Sequence, residues 1–170
     1  DDAGRHLPHD GKSIGEVVVR GPWICAEYYK NPQPSKFHEG WLRTGDVAMI
    51  DPEEYLIITD RTKDLIKSGG EWISSVDLEN CACGHPDVLM AAAIGVRHPK
   101  WEERPILLVV PKQGCTPARD SVLAHIAEHF AKWQLPDEVI VVESLPMTAT
   151  GKISKKDLRE KYGQVLMQRG

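Results

Sequence analysis

The sequence predicts an α+β protein in two parts: a β-rich stretch over residues 1–59, then a compact α+β unit over residues 60–170 with a small antiparallel sheet and flanking helices. Three observations predict it. Short β-branched runs bounded by Gly and Pro dominate the first third. From Asp60 onward, short strands alternate with capped segments of helical periodicity. That second stretch, about 110 residues, is long enough to bury a core of its own.

In chain order, residues 15–20 (Gly-Glu-Val-Val-Val-Arg) read as a short buried strand closed by Gly21-Pro22. Asn31-Pro32-Gln33-Pro34-Ser35 reads as a loop, because two prolines each remove a donor and fix φ. Residues 41–50 and 55–59 form a hairpin around the turn Asp51-Pro52-Glu53-Glu54. Leu65-Ile66 and Trp72-Ile73 are very short strands flanking the Gly69-Gly70 turn, and Ser74 or Ser75 caps a helix running to about Ala82. Asp77 and Glu79 lie near the positive end of that helix. Residues 88–95, 106–110 and 139–142 are strands. Thr116-Pro117 is an N-cap and N1 pair opening a helix on which Val122, Ile126, Phe130 and Trp133 recur at helical spacing. Ser154 caps a last amphipathic helix that buries Leu158, Tyr162, Val165 and Leu166.

Composition sets the outer bounds. With 41% hydrophobic and 27% charged residues, the 170-residue chain has the make-up of an ordinary globular protein. A net charge of −4 argues against bulk nucleic-acid binding. No apolar run approaches the roughly 20 residues needed to span a bilayer, and the first residues lack a signal-peptide pattern. Cys25, Cys81, Cys83 and Cys115 show no framework spacing, which points to free thiols in a reducing compartment, by default the cytoplasm. A start without Met in a polar, turn-rich segment suggests a piece of a longer polypeptide.

Chemistry concentrates in three places. In Thr44-Gly45-Asp46, an Asp at the mouth of a strand presents an acceptor-only carboxylate able to take two hydroxyl donors, as a ribose offers; the plainer reading is a turn Asp bonded to its own backbone. Asp60-Arg61-Thr62-Lys63-Asp64 sets a forked donor and a point charge between two acids, which is also how a solvated surface run looks. It continues into Lys67-Ser68-Gly69-Gly70, where paired glycines allow a close backbone approach to a ligand, or simply a hairpin turn. Thr148-Ala149-Thr150-Gly151-Lys152 places a lysine on a Gly/Thr loop beside a helix start, positioned for an anion; it is not a P-loop, since the first Gly and a following Ser or Thr are missing. Lys155, Lys156, Arg159 and Lys161 read as a basic solvated face. Cys81-Ala82-Cys83-Gly84-His85 is a poor metal motif, because cysteines two apart at a helix end point to different faces and no second ligand pair exists. No metal ligand set is assigned. His98-Pro99-Lys100-Trp101 reads as a turn with a packed Trp.

Taken together and in this order, these motifs resemble the C-terminal part of the adenylate-forming enzymes: acyl-CoA synthetases, adenylation domains of peptide synthetases, and luciferases. Arg43-Thr44-Gly45-Asp46 resembles the family's ribose-binding motif, the stretch from Asp60 to Glu79 its hinge and thioester-step motif, and the residues from Leu145 to Ile153 its catalytic-lysine motif. The Lys67–Asn80, His98–Pro105 and Ala131–Pro136 segments are most similar to bacterial medium- and long-chain fatty-acyl-CoA synthetases. The resemblance implies ATP, with Mg held by an N-terminal domain, and CoA as the second substrate. It implies that Lys152 is catalytic, that Asp46, Arg61, Lys63, Lys67 and Trp72 border the nucleotide, that Lys63 is the hinge, and that Gly69, Gly70 and Glu71 line the CoA path. It further implies small-molecule substrates only, a homodimer formed through the N-terminal domain, and no activity of this stretch by itself.

Three positions depart from the family pattern: Glu54 before Tyr55 where Gly is usual, Met147 where a basic residue is usual, and Arg97 in place of a common proline. Glu54 predicts a distorted turn. Two alternatives stay open at this point. One is an aryl-CoA ligase or carrier-protein adenylation domain, and the other a non-catalytic module binding an anionic partner through residues 154–161. The motif around Lys152 also resembles sites of regulatory lysine acetylation.

Overall fold

The structure, a computed structural model, describes residues 1, 4–30 and 33–167. Asn31 and Pro32 of the proline loop lie outside the described residues. The chain divides into two compact units, Asp1–Lys63 and Asp64–Gly170.

The first unit is a four-stranded antiparallel sheet of β1 (Gly15–Val19), β2 (Phe37–His38), β3 (Trp41–Ile50) and β4 (Leu56–Arg61). The ten-residue β3 is central, with β1 on one edge and β2 and β4 sharing the other. β1 is an edge strand rather than a buried one, and Val18 is 40% exposed. The β3–β4 turn is well formed: Asp51 Oδ1 accepts the backbone N–H groups of Glu53 and Tyr55, at 3.0 and 2.9 Å. Glu54 takes the left-handed conformation (φ 69°) that a glycine adopts without steric cost. The expected distortion is therefore absent, and the departure is met by local backbone strain. β4 extends two residues past Thr59, so Asp60 and Arg61 belong to the sheet.

In the second unit, β5 (Ile66–Ser68) and β6 (Glu71–Ile73) make a hairpin, followed by α1 (Ser75–Cys83). Ser74 caps α1 by accepting the Asp77 N–H at 3.1 Å. β7 (Val88–His98) and β8 (Glu102–Pro111) form a long antiparallel hairpin, then come α2 (Arg119–Ala127), β9 (Glu138–Val141) and α3 (Lys155–Tyr162). β7 occupies one edge of β8; β5, at Ser68–Glu102, and β9, along Ile106–Val109, share the other. β9 runs parallel to β8, so the sheet is antiparallel except at that strand.

Why the middle strands read as unbroken apolar runs follows from the layering. Ala91, Ala93, Leu107 and Val109 face a core with Leu78, Ala82, Val122 and Ile126 of α1 and α2. The alternating Ala92, Ile94, Val96, Ile106 and Leu108 face a second core with Leu145, which follows β9, and Leu158 of α3. A sheet covered on both faces has no polar side to alternate with.

The second helix is shorter than its periodicity predicts. Its N-cap is Ala118, without a side-chain cap bond, not Thr116. It ends at Ala127; Phe130 still packs on the core, but Trp133 lies in a one-turn 3₁₀ segment (Lys132–Gln134) and is 44% exposed. The Trp133 and Leu135 carbonyls are used instead by Arg104, which a continuing helix would not allow.

Candidate functional site

Gly45 interrupts β3 with φ +80°, and the ladder shifts register between Val47 and Ala48. The Gly45 carbonyl accepts the Thr62 N–H at 2.9 Å and the Thr62 hydroxyl at 3.2 Å. Thr44 Oγ1 donates to the Val17 carbonyl at 2.8 Å. Asp46 is thereby held in a strand, not a turn, and its carboxylate meets Arg61 across the ladder, with Arg61 Nε 2.9 Å from Asp46 Oδ1. Asp46 is about a quarter exposed and Arg61 more than half, so the pair keeps a carboxylate and a guanidinium edge open to solvent. Asp60, one residue earlier, is buried, and its Oδ1 accepts the Arg61 N–H at 2.6 Å.

Lys63 is exposed and is the last residue of the first unit; Asp64 opens the second. Asp64 is anchored at once, through Arg159 of α3, whose Nη2 lies 2.5 Å from Asp64 Oδ1.

Gly69 and Gly70 both have positive φ (61° and 89°), the signature of a tight two-residue hairpin turn. Gly69 is bound to be glycine twice over, since a Cβ there would also sit 3.0 Å from the Trp101 ring. Around Gly70 a Cβ would meet nothing within 4 Å, so this side of the turn is open. The Lys67 ammonium stands 5.9 Å from the centre of the Trp72 ring, a cation–π contact, and Glu71 points to solvent. Trp101 is 42% exposed rather than packed away, and its turn is built by His98 Nδ1, which accepts the N–H groups of Lys100 and Trp101.

Lys152 sits on a small, rigid hairpin. Met147 and Ile153 form a bridge, the Thr148 N–H donates to the Lys152 carbonyl at 2.7 Å, and the Lys152 N–H to Thr148 Oγ1 at 3.2 Å. Gly151 supplies the positive φ (76°) that closes the turn. Ser154 N–H donates to the Pro146 carbonyl at 2.8 Å, fixing the hairpin to the start of α3, while the Lys152 side chain is exposed. The helix beneath is bolted down: Lys155 Nζ reaches Ser75 Oγ at 2.6 Å and Glu79 Oε1 at 2.8 Å. Glu79 Oε1 also accepts the Ala93 N–H on the open edge of β7.

Lys155 and Arg159 therefore do not belong to a solvated basic face; they join α3 to α1 and to Asp64. Of the remaining two, Lys156 pairs loosely with Glu160 and Lys161 lies over Tyr162. At the cysteine-rich end of α1, His125 Nε2 bonds the Cys81 carbonyl, and His85 bonds Ser121 Oγ and the Asp87 N–H. Burial, then the nearby Glu128 carboxylate, push the Cys81 thiol up. Among the described residues no cluster of three or more His, Cys, Asp or Glu side chains is placed to hold a metal ion, and no helix is long and apolar enough to cross a membrane.

Comparison with known proteins follows the same segments. A family model described as AMP-binding enzyme C-terminal domain matches residues 77–152. A 3-methylmercaptopropionyl-CoA ligase of Ruegeria pomeroyi is 51% identical over 98% of this chain and 31% of its own length. A long-chain-fatty-acid–CoA ligase of Thermus thermophilus is also 51% identical, over 95% of this chain and 30% of its own. The chain thus spans about a third of the length of the curated relatives it matches. The crystal structure of ATP-bound MatB from Rhodopseudomonas palustris superimposes with a TM-score of 0.88 at 33% identity, over 97% of this chain and 33% of that one. The homologues are CoA ligases, and the chain belongs to the adenylate-forming superfamily, over the part that carries the AMP-binding enzyme C-terminal domain.

Proposed function

We propose that this chain is the C-terminal part of a fatty-acid–CoA ligase. In the first step the fatty-acid carboxylate attacks the α-phosphorus of ATP, and the bond to the leaving pyrophosphate breaks. In the second, the CoA sulfur attacks the acyl carbonyl of the adenylate, and AMP leaves as the thioester forms. The observation that carries the reading is the mount of Lys152: a solvent-facing ammonium on a hairpin fixed by backbone bonds and seated on an anchored helix. Such a charge can neutralise the carboxylate and α-phosphate oxygens as negative charge builds between them.

The other residues take roles that fit their settings. Asp46 receives the ribose hydroxyls, with Arg61 steadying its carboxylate. Lys67 and Trp72 border the nucleotide and the CoA entry, and Gly69, Gly70 and Glu71 line the path of the pantetheine arm, which needs the open side at Gly70. Lys63 is the hinge, supported by its exposure and by the two compact units meeting in sequence between Lys63 and Asp64. Residues 1–59 end the large N-terminal domain, and residues 60–170 form the mobile C-terminal domain. That N-terminal domain supplies the acyl pocket, the Mg²⁺ ligands and a homodimer contact. The four free thiols suit a cytoplasmic protein.

The experiment is an assay of the full-length protein with ATP, Mg²⁺, CoA and a panel of acids: short, medium and long fatty acids, benzoate and 3-methylmercaptopropionate. The last is included because ligases of that acid are 49% and 51% identical to this chain. Acyl-CoA, AMP and pyrophosphate are expected in equal amounts, with a medium or long fatty acid preferred. ADP and phosphate as products, or no thioester from any acid, would contradict the assignment.

A further inference from the structure

Arg104 enters β8 just where its apolar run begins, and only 9% of it is exposed. A buried guanidinium is costly unless its donors are met. Here Nε and Nη2 both reach Asp137 Oδ1, at 2.9 and 2.7 Å, and Nη2 also donates to the Leu135 carbonyl at 2.9 Å. Nη1 is shared between the Trp133 carbonyl at 2.6 Å and the Ser68 hydroxyl at 3.0 Å.

All but one of these bonds bind the segment that follows α2. The last crosses to Ser68, which is buried and immediately precedes the Gly69-Gly70 turn. Its two neighbours are held from the same side: the Gly69 N–H donates to the Trp101 carbonyl at 3.0 Å, and the Lys67 N–H to Glu103 Oε2 at 3.2 Å. Three consecutive residues entering the turn are thus gripped by residues 101–104. A glycine pair has no side chains with which to fix itself, so its conformational freedom has to be removed from outside.

We propose that Arg104 is a positioning residue for the thioester step: through Ser68 it sets the glycine turn against the Trp133–Asp137 segment and so pre-orders the path that CoA takes. Arg104 touches no substrate. The proposal rests on the reading of the glycine turn as CoA-facing. Lysine is no substitute, because a single nitrogen cannot span Ser68, Asp137 and two carbonyls at once.

The test uses the full-length protein with Arg104→Met, Arg104→Lys, Ser68→Ala and the Arg104→Met/Ser68→Ala double variant. Pyrophosphate release from acid and ATP reads the first step; acyl-CoA from supplied acyl adenylate, with CoA varied, reads the second. Arg104→Met is expected to raise KM for CoA about tenfold and Ser68→Ala about threefold, with the first step unchanged. Arg104→Lys should not rescue, and the double variant should be no worse than Arg104→Met. Amide hydrogen exchange over residues 69–72 should quicken in each variant. A parallel fall of both steps with Tm, an unchanged KM for CoA, or full additivity in the double variant would overturn the proposal. Should the wild-type protein form no thioester, the ligase reading fails. Exchange then rules alone on Arg104: faster exchange in both single variants upholds its hold on the turn, and unchanged exchange removes it.

Discussion

Replacing Lys152 with Ala in the full-length protein is expected to slow acyl-adenylate formation by about 10²–10³-fold, the usual effect of removing one group that stabilises developing charge. Thioester formation from supplied acyl adenylate should continue at nearly the wild-type rate. The structure makes this a clean experiment. Lys152 is exposed, its hairpin is held through backbone atoms and Thr148, and α3 keeps its own cap at Ser154. Thermal stability should therefore not move. Equal loss of both half-reactions would remove Lys152 from the adenylation step.

The reverse selectivity is expected at Lys63. Proline there fixes φ near −65°, removes an N–H and disfavours helical backbone at Thr62. If the C-terminal domain must turn about this residue between the two steps, Lys63→Pro leaves adenylation intact and lowers thioester formation about tenfold or more. Lys63→Ala separates the causes, since it removes the charge but keeps the backbone free, and it should retain the second step. A proline variant normal in both half-reactions would take the hinge away from this position.

What the sequence made legible was mostly local. Ser74 and Ser154 cap helices because a hydroxyl three residues ahead of an N–H is a short-range fact. The Gly69-Gly70 hairpin follows from two adjacent residues that accept positive φ. The second helix stops short of its periodicity at the C-terminal end for a non-local reason. Val122, Ile126, Phe130 and Trp133 fit one helical stripe, but the carbonyls beyond Ala127 are wanted by an arginine on another strand.

Charged residues show the same limit. Lys155 and Arg159 look like a wet basic face until their partners are found 80 and 95 residues away, at Ser75 and Asp64. Asp46 and Arg61 are individually visible in sequence, yet their pairing depends on the register of β3 against β4. Arg104 carried a signal that went unused: an arginine at the head of an uninterrupted apolar strand has to be paid for by partners in the interior. Short motifs make single residues such as Asp46 and Lys152 visible, whereas a contact such as Arg104 to Ser68 appears only once the chain is folded.

The proposed change in arrangement between the two half-reactions can be tested with two native thiols. Cys25, in the first unit, and Cys83, in the second, are both exposed. With the other thiols of the full-length protein replaced, fluorescent labels on these two report the distance between the units. One distance is expected with fatty acid and ATP bound and a clearly different one with acyl adenylate and CoA, and Lys63→Pro should abolish the change. A single distance across all these states, in a protein that completes both steps, would contradict it.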